Sequence, residues 1–231
     1  MQEVKFSDWG QIEYGLAWQK QEELLNANTV IKSNRSKGIS ADETTHHLIF
    51  CEHPPVYTLG KSGKESHVLI TKEELSKRNI SYYPTNRGGD ITFHGPEQLV
   101  GYPILDLEKF YTDIGRYLRS LEEVIILVLG DYGLKGERSK GETGVWLDTE
   151  HPLKARKICA MGVRCSRWVT MHGFALNVNT DLNYFSMIVP CGIPDKQVTS
   201  LQKELGCMVD SEEVKIKVKH YFQKVFECIL T

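Results

Sequence analysis

Polar and apolar residues alternate from Asp90 to His94, which is the period of a half-buried β-strand. Gly95-Pro96 interrupts this alternation, and a second apolar run extends from Leu99 to Leu107. Arg87-Gly88-Gly89, just before the first run, sets a fixed cation beside two residues that tolerate a positive φ. The pattern predicts a hairpin with a tight glycine turn. That turn is either an ordinary solvated turn or a place where backbone approaches a ligand.

Two helix starts can be identified from their capping residues. Ser7 or Asp8 is a suitable N-cap for a first helix that runs to about Ala27. Thr71 and Glu74 have the spacing of a capping box and open a short helix that ends near residue 78. The apolar residues that the first helix is expected to turn toward the core are Ile12, Leu16 and Leu24.

The remaining elements follow from short apolar runs and from longer helical periods. Helices are expected at 112–129, from about residue 199, and from Asp210, the last with one apolar stripe. Strands are predicted at 48–51, 56–59, 80–83, 144–147, 157–164 and 169–178, and loops at 33–45, 135–143 and 180–196. The predicted stripe consists of Val214, Val218, Tyr221, Phe222, Val225 and Phe226. Because the strands cluster in hairpins, an α+β fold with a mixed or largely antiparallel sheet is favoured.

Composition narrows the classes of function. The chain has 231 residues, 41% hydrophobic and 25% charged, which fits one globular domain spanning residues 1–231. Its net charge of −2 argues against a dedicated nucleic-acid-binding protein. The N-terminus lacks the pattern of a signal peptide, and the most apolar run, 124–129, is too short to span a bilayer. We therefore expect a cytoplasmic protein that has neither nucleic acid nor membrane as a partner.

Six cysteines are present, and none forms a Cys-x-x-Cys pair or a zinc-like cluster. Cys159, Cys165 and Cys228 lie in apolar patterns and are expected to be buried. Cys191 differs because it lies in a loop between Pro190 and Gly192-Ile193-Pro194. The sequence leaves two interpretations of it open, a nucleophile or an inert, half-buried thiol.

A nucleophilic cysteine needs a group that removes its proton. His94, His172 and Lys157 are candidates, although spacing does not show which of them lies close to the thiol. Lys157 heads a strand, where a lysine is either partly desolvated and usable as a base or simply exposed. Gly173, which follows His172, indicates a bulge or a close approach to a ligand.

Taken together, these segments resemble the lipoyl(octanoyl) transferase family. The matching blocks occur in the family's order, cover most of residues 48–201, and differ from it only at variable places such as Cys159 and Met161. The blocks are Glu52-His53-Pro54-Pro55-Val56-Tyr57-Thr58-Leu59-Gly60, Arg87 to His94 with Gln98 and Tyr102, Thr143-Gly144-Val145-Trp146, Lys157 to Val163, Thr170 to Val178, and Pro190-Cys191-Gly192-Ile193.

The resemblance implies a fold of the biotin and lipoate protein ligase type and a cysteine-dependent acyl transfer. Cys191 matches the residue that forms the acyl-thioester, and Lys157 matches the lysine that lowers the pKa of that thiol. His172 is expected to support the site by shaping and hydrogen bonding. The residues that match the walls of the acyl pocket are Arg87, Gly88, Gly89, Asp90, Ile91, Thr92, Phe93, His94, Ala160, Met161, Gly162, Gly173, Phe174 and Ala175.

The resemblance also implies the partners. Octanoyl-acyl carrier protein would be the donor, and the acceptors would be apo lipoyl domains of 2-oxoacid dehydrogenase E2 subunits and the glycine cleavage H protein. No metal, cofactor or ATP is expected, because the donor thioester is already activated. The alternatives are a lipoyl amidotransferase, an ATP-dependent lipoate–protein ligase on the same fold, and a silent module that binds lipoyl domains.

Overall fold

The computed structural model of the chain describes residues 1–189 and 197–231, so Cys191 lies outside the described residues. Their helices are α1 (Tyr14–Ser36), α2 (Lys72–Lys77), α3 (Ile114–Asp131), α4 (Leu201–Leu205) and α5 (Ser211–Phe226). Their strands are β1 (Gln2–Gln11), β2 (His46–Glu52), β3 (Val56–Leu59), β4 (Ser81–Pro84), β5 (Ile91–His94), β6 (Gln98–Ile104), β7 (Glu137–Arg138), β8 (Val145–Leu147), β9 (Arg156–Ser166), β10 (Val169–Asn177), β11 (Gln197–Val198) and β12 (Cys228–Leu230).

The strands form one large and one small sheet. The large sheet has the order β12-β1-β2-β6-β10-β9-β8-β7, with β11 added beside β9, and the small sheet has the order β4-β3-β5. β1 is parallel to both of its neighbours, whereas the pairs from β2 through β6, β10, β9 and β8 to β7 are antiparallel. The predicted α+β class with a mixed, largely antiparallel sheet is confirmed.

The predicted hairpin after Arg87 is wrong. β5 pairs with β3 in the small sheet, whereas the next strand, β6, pairs with β2 and β10 in the large sheet. Glu97 has a φ of 61°, and together with Gly95-Pro96 it redirects the chain from one sheet to the other. The glycines therefore belong to a loop that joins two strands of the small sheet, β4 and β5, which lie on either side of β3.

The predicted first helix is also wrong in its bounds. Residues 2–11 form a strand, and the helix begins at Tyr14, with the Glu13 side chain accepting a hydrogen bond from the Leu16 N–H. It ends at Ser36, inside the stretch expected to be a loop. Leu16 is 46% exposed. The buried face consists of Tyr14, Ala17, Gln21, Leu25 and Asn28, two of them polar, which is why apolar spacing misplaced it.

Most other elements agree with the pattern. The capping box of Thr71 and Glu74 is present, Asp210 caps α5, and Val214, Val218, Phe222 and Phe226 are its buried stripe. The loop expected at 180–196 contains a 3₁₀ helix at Leu182–Met187, and the one at 135–143 contains β7. Cys159 and Cys228 are buried, whereas Cys165 is partly exposed.

Helices cover both faces of the large sheet. α3 and α5 pack on one face in the largest apolar cluster, and α1 packs on the other face with Cys51, Val100 and Ala175. The small sheet has its own cluster, which includes Tyr57 and Phe93. Within the described ranges, no helix has the length and apolar character needed to cross a membrane.

Candidate active site

A cavity of about 470 Å³ is bordered by β5 of the small sheet and by β6, β9 and β10 of the large sheet. Lys157 and His172 line it, as do all the residues expected to form the pocket walls except Phe93. Phe93 belongs to the core of the small sheet, where its ring stacks on Tyr184 at a centroid distance of 4.5 Å. The fold thus gathers residues that are almost 90 positions apart in sequence.

Glycines bring the backbones around this cavity close together. The Gly88 N–H donates to the Val163 carbonyl at 2.9 Å, which lays the 87–89 loop on β9. A Cβ at Gly162 would lie 2.6 Å from the Gly88 carbonyl oxygen, and one at Gly173 would collide with the Gly101 carbonyl. Gly162 and Gly173 therefore have no room for a side chain, because the backbone of a neighbouring segment lies against each of them. A glycine within a strand is typical of such a close approach.

The buried side chain of Arg87 holds the 87–89 loop in position. The residue is only 7% exposed. The guanidinium donates to the carbonyl and the hydroxyl of Thr58 and to the Gly88 carbonyl. The arginine thus joins the 87–89 loop to β3 of the small sheet, as a planar group with several fixed donors can.

His94 is held by protein groups on both ring nitrogens. Nδ1 donates to Gln98 Oε1 at 2.8 Å, because the amide nitrogen of Gln98 is itself engaged as a donor to Asn177. Nε2 lies 3.3 Å from the Thr58 hydroxyl, which can donate to it. Burial keeps the pKa of His94 well below its ordinary value, with further lowering by His53 and Arg87. A neutral ring with both nitrogens occupied is suited to shaping the site rather than to moving protons.

His172 has an unusual conformation in the middle of β10. Its φ is 58°, which is rare for a residue other than glycine. Gln21 accepts its backbone N–H at 2.9 Å, and Asn86 Oδ1 lies 2.7 Å from Nε2. Burial, reinforced by Arg87 and Arg164, lowers the pKa of His172 to about 3. The ring is therefore neutral, and Nδ1 finds no hydrogen-bond partner among the described residues.

Lys157 lines the cavity at the position where β9 pairs with β11. It is half-buried, and its carbonyl accepts from the Thr199 N–H at 2.9 Å. Its Nζ lies 4.6 Å from the centroid of the Trp146 ring, within the range of a cation–π interaction. Gly144, whose φ is 112°, lies beside Lys157, and a Cβ there would lie 2.5 Å from the Cys159 carbonyl oxygen. The Trp146 ring is therefore one of the groups that the Lys157 ammonium contacts.

Sequence patterns did not single out several residues of the site. Tyr14 lines the cavity from α1, and its ring is nearly parallel to that of His94 at a centroid distance of 5.9 Å. Asn86 orients His172, and Thr58 joins Arg87 to His94. Thr58 lies within one of the blocks that match the family, and Asn86 directly precedes another, so their positions could have pointed to the site. Tyr14 lies outside every block, so the sequence contained no indication of its role.

Comparisons with known proteins agree with this architecture. A bipartite lipoate protein ligase of Thermoplasma acidophilum, described with its E2 lipoyl domain, superposes with a TM-score of 0.71 at 15% identity, covering 100% of this chain and 86% of that one. This likeness concerns the fold, and it confirms the predicted ligase-type fold.

Similarity in sequence is far closer to two bacterial proteins named octanoyltransferase. The one from Flavobacterium psychrophilum is 54% identical over 226 residues, 97% of each chain. The one from Christiangramia forsetii is 55% identical over 230 residues, 99% of this chain and 97% of that one. The lipoyl protein ligase A/B catalytic domain family matches residues 14–223. The chain therefore belongs to the octanoyltransferases, acyltransferases of the lipoyl protein ligase A/B catalytic domain family.

Proposed function

We propose that this protein transfers an octanoyl group from octanoyl-acyl carrier protein to a specific lysine of apo lipoyl domains, through a thioester on Cys191. This would be the first step of endogenous protein lipoylation, with E2 subunits of 2-oxoacid dehydrogenases and the glycine cleavage H protein as acceptors. The observation that carries the proposal is the position of Lys157 in the wall of a cavity whose lining is mostly apolar.

The shape of the cavity supports an acyl substrate. Lys157 and Gly162, which both line the cavity, are five positions apart along β9, about 16 Å at ~3.3 Å per residue, and this length accommodates an extended eight-carbon chain. The apolar side chains along it include Ile91, Val100 and Phe174. Burial of each CH₂ contributes ~0.8 kcal/mol, so the chain itself supplies much of the binding energy.

The assignment of Cys191 rests on sequence and on its neighbours. Phe185 and Val198, which flank Cys191 in the chain, both line the cavity, and Val198 pairs with Lys157 in register. A nearby cation lowers the pKa of a thiol and so increases the population of the thiolate near neutral pH. Lys157 supplies that cation in the proposal.

In the first half-reaction, the Cys191 thiolate attacks the carbonyl carbon of the donor thioester. The bond from that carbon to the pantetheine sulfur breaks, and the departing thiolate takes a proton from the Lys157 ammonium. One thioester replaces another, so the step is close to neutral in free energy. It leaves Lys157 uncharged and the octanoyl group on Cys191.

In the second half-reaction, the deprotonated amine of the acceptor lysine attacks the acyl-cysteine. A C–N bond forms, the bond to the Cys191 sulfur breaks, and neutral Lys157 accepts the proton that the amine loses. The products are an amide and the original pair of Cys191 thiolate and Lys157 ammonium. Backbone N–H donors for the oxyanion are typically worth ~2.7–4 kcal/mol each.

Intact-mass measurement after mixing with octanoyl-acyl carrier protein tests the proposal. We expect a hydroxylamine-sensitive octanoyl adduct on the wild type, no adduct on Cys191→Ala, and at least a 100-fold slower adduct on Lys157→Met. Lys77→Met, at an exposed position of α2, is the matched control, and it should behave as the wild type. Labelling of a lipoyl domain that requires ATP and proceeds without an adduct would identify a ligase instead.

A further inference from the structure

We infer that His67 is a positioning residue, which ties the cavity wall at Asp90 to the chain segment that leads to Cys191. The functional part of this inference rests on the proposed function, because it concerns the alignment of the proposed nucleophile with the acyl pocket. His67 lies outside every sequence block that matched the family.

The first part of this connection, which we call the tie, is the contact between the side chains of His67 and Asp90. His67 Nδ1 lies 2.7 Å from Asp90 Oδ2 and 3.0 Å from Oδ1, with the two side chains 19% and 12% exposed. Asp90 lines the cavity, and its Oδ1 also accepts the Ile91 N–H at 2.7 Å. Since both carboxylate oxygens act as acceptors, Nδ1 of His67 carries the hydrogen, and the imidazole fixes the carboxylate at the start of β5.

The second part of the tie is made by the backbone of the same residue. The His67 carbonyl accepts the Val189 N–H at 2.8 Å, and the Leu69 N–H donates to Met187 at 2.9 Å. Val68 and Ile188 form an antiparallel bridge between these two bonds. Residues 67–69 and 187–189 therefore form a short ladder, and Val189 precedes Cys191 by two positions in the sequence.

The segment that bears His67 is itself attached to the cavity wall. Gly60, Lys61 and Ser62 donate backbone hydrogen bonds of 3.0–3.1 Å to carbonyls of the 87–90 loop. One continuous segment, 60–69, thus holds the wall at its beginning and the 187–189 segment at its end. His67 is the residue at which the two attachments meet, because its ring contacts one and its carbonyl the other.

This arrangement matters for acyl transfer because the rate depends on the alignment of the reacting atoms. A misplacement of about 1 Å that arises far from the chemistry can cost about 100-fold in rate. A fixed distance between the Asp90 wall and the 187–189 segment would keep a bound acyl carbonyl and the nucleophile in register. Loss of the tie should therefore affect acylation without changing the intrinsic reactivity of the thiol.

Hydrogen exchange of backbone amides tests the physical tie without reference to the reaction. In Asp90→Ala, the amides of Leu69 and Val189, which do not contact Asp90, should exchange about tenfold faster, as loss of a hydrogen bond to a charged group allows. His67→Leu should show the same increase. His67→Asn, which keeps a donor near the position of Nδ1, should stay within about twofold of the wild type, as should the exposed control His220→Leu. Unchanged exchange at Val189 in Asp90→Ala would overturn the inference.

Acylation kinetics test the functional part. In His67→Leu, the ratio of kcat/KM for octanoyl over butyryl donors should fall about tenfold, while alkylation of Cys191 by iodoacetamide stays within about twofold of the wild type. His67→Asn should restore the ratio, which a general loss of stability would not predict. Equal losses in alkylation and acylation would contradict a positioning role. If the wild type forms no adduct on Cys191, the proposed function fails, and the exchange data still decide whether the tie exists.

Discussion

Oδ1 of Asn86 lies 2.7 Å from Nε2 of His172, and this contact fixes the hydrogen positions of the histidine ring. The Asn86 amide nitrogen donates to Glu22 at 2.8 Å, so its oxygen must face the ring and Nε2 must carry the hydrogen. Glu22 is held in turn by Arg164 at 2.6 Å. The lone pair of His172 is therefore on Nδ1, the buried nitrogen that makes no hydrogen bond to the described residues.

We expect His172 to populate the Nε2–H tautomer and to stay neutral from about pH 5 to 9, since its pKa is lowered to about 3. Nitrogen-15 NMR of labelled histidine measures both properties. Asn86→Leu leaves a buried Nε2–H without an acceptor and should lower the free energy of unfolding by ~1–3 kcal/mol. Asn26→Leu, on the exposed side of α1, should change it by less than ~0.5 kcal/mol. An Nδ1–H tautomer in the wild type would contradict this account.

Buried histidines should make the protein sensitive to acid. Burial lowers the pKa of His53 to about 4 and that of His172 to about 3, and it holds the pKa of His94 well below its ordinary value. Below an unfolded pKa of about 6.5 the unfolded chain binds protons that the folded chain does not, so stability falls as the pH falls. Each such histidine contributes ~1.4 kcal/mol per pH unit until its folded pKa is reached.

Urea denaturation at several pH values between about 7.5 and 5 measures this slope. His53→Gln should reduce the slope of the unfolding free energy against pH by the contribution of one buried histidine. His151→Gln, at an exposed position, should leave it unchanged. A slope that is the same in the wild type and His53→Gln would show that His53 takes up no proton on unfolding.

The sequence predicted those elements whose burial is apolar and periodic. α5 has its four buried side chains at helical spacing behind an Asp cap, and β10 is buried along its whole length. β1 was not predicted because Val4 is its only buried residue, so the strand has no apolar alternation. Its stability comes from pairing with β2 and β12. Pairing partners that are distant in sequence leave no local signal.

The same distinction applies to the site. Lys157, Arg87 and the pocket glycines stood in recognisable blocks, and the fold places them around one cavity. His67 could not be predicted, because its role depends on three loops that meet only after the chain folds. Gly173 was predicted to mark a bulge or a close approach to a ligand, yet the atom nearest to a Cβ placed there is the Gly101 carbonyl oxygen of the neighbouring strand.

Substitution of Gly162 tests whether the position of the 87–89 loop affects octanoyl transfer. A Cβ at this position would lie 2.6 Å from the Gly88 carbonyl oxygen and 3.4 Å from Arg87 Cδ, so Gly162→Ala must push the 87–89 loop off β9. We expect at least a tenfold loss of octanoyl transfer, because a 1 Å displacement can cost up to about 100-fold.

Gly130→Ala is the matched control for that prediction. A Cβ at Gly130 meets nothing within 4 Å, and the residue lies within α3, where alanine is more favourable than glycine by roughly 1 kcal/mol. This variant should be slightly more stable and fully active in the transfer assay. Wild-type activity in Gly162→Ala would show that the position of the loop does not affect catalysis.

Two alanines on neighbouring strands leave the space that an acyl chain would occupy. Ala160 of β9 pairs with Ala175 of β10, and both line the cavity. An octanoyl chain buries four more CH₂ groups than a butyryl chain, worth ~3 kcal/mol in all, so the wild type should favour octanoyl donors by as much as about 200-fold in kcat/KM.

Ala160→Leu fills part of the space beside Ala175 and should reduce that preference to below about tenfold while butyryl transfer persists. Ala41→Leu, at an exposed position, should retain the wild-type preference. Steady-state assays with both donors decide the matter, and equal kcat/KM values for the two donors in the wild type would refute a fitted apolar slot.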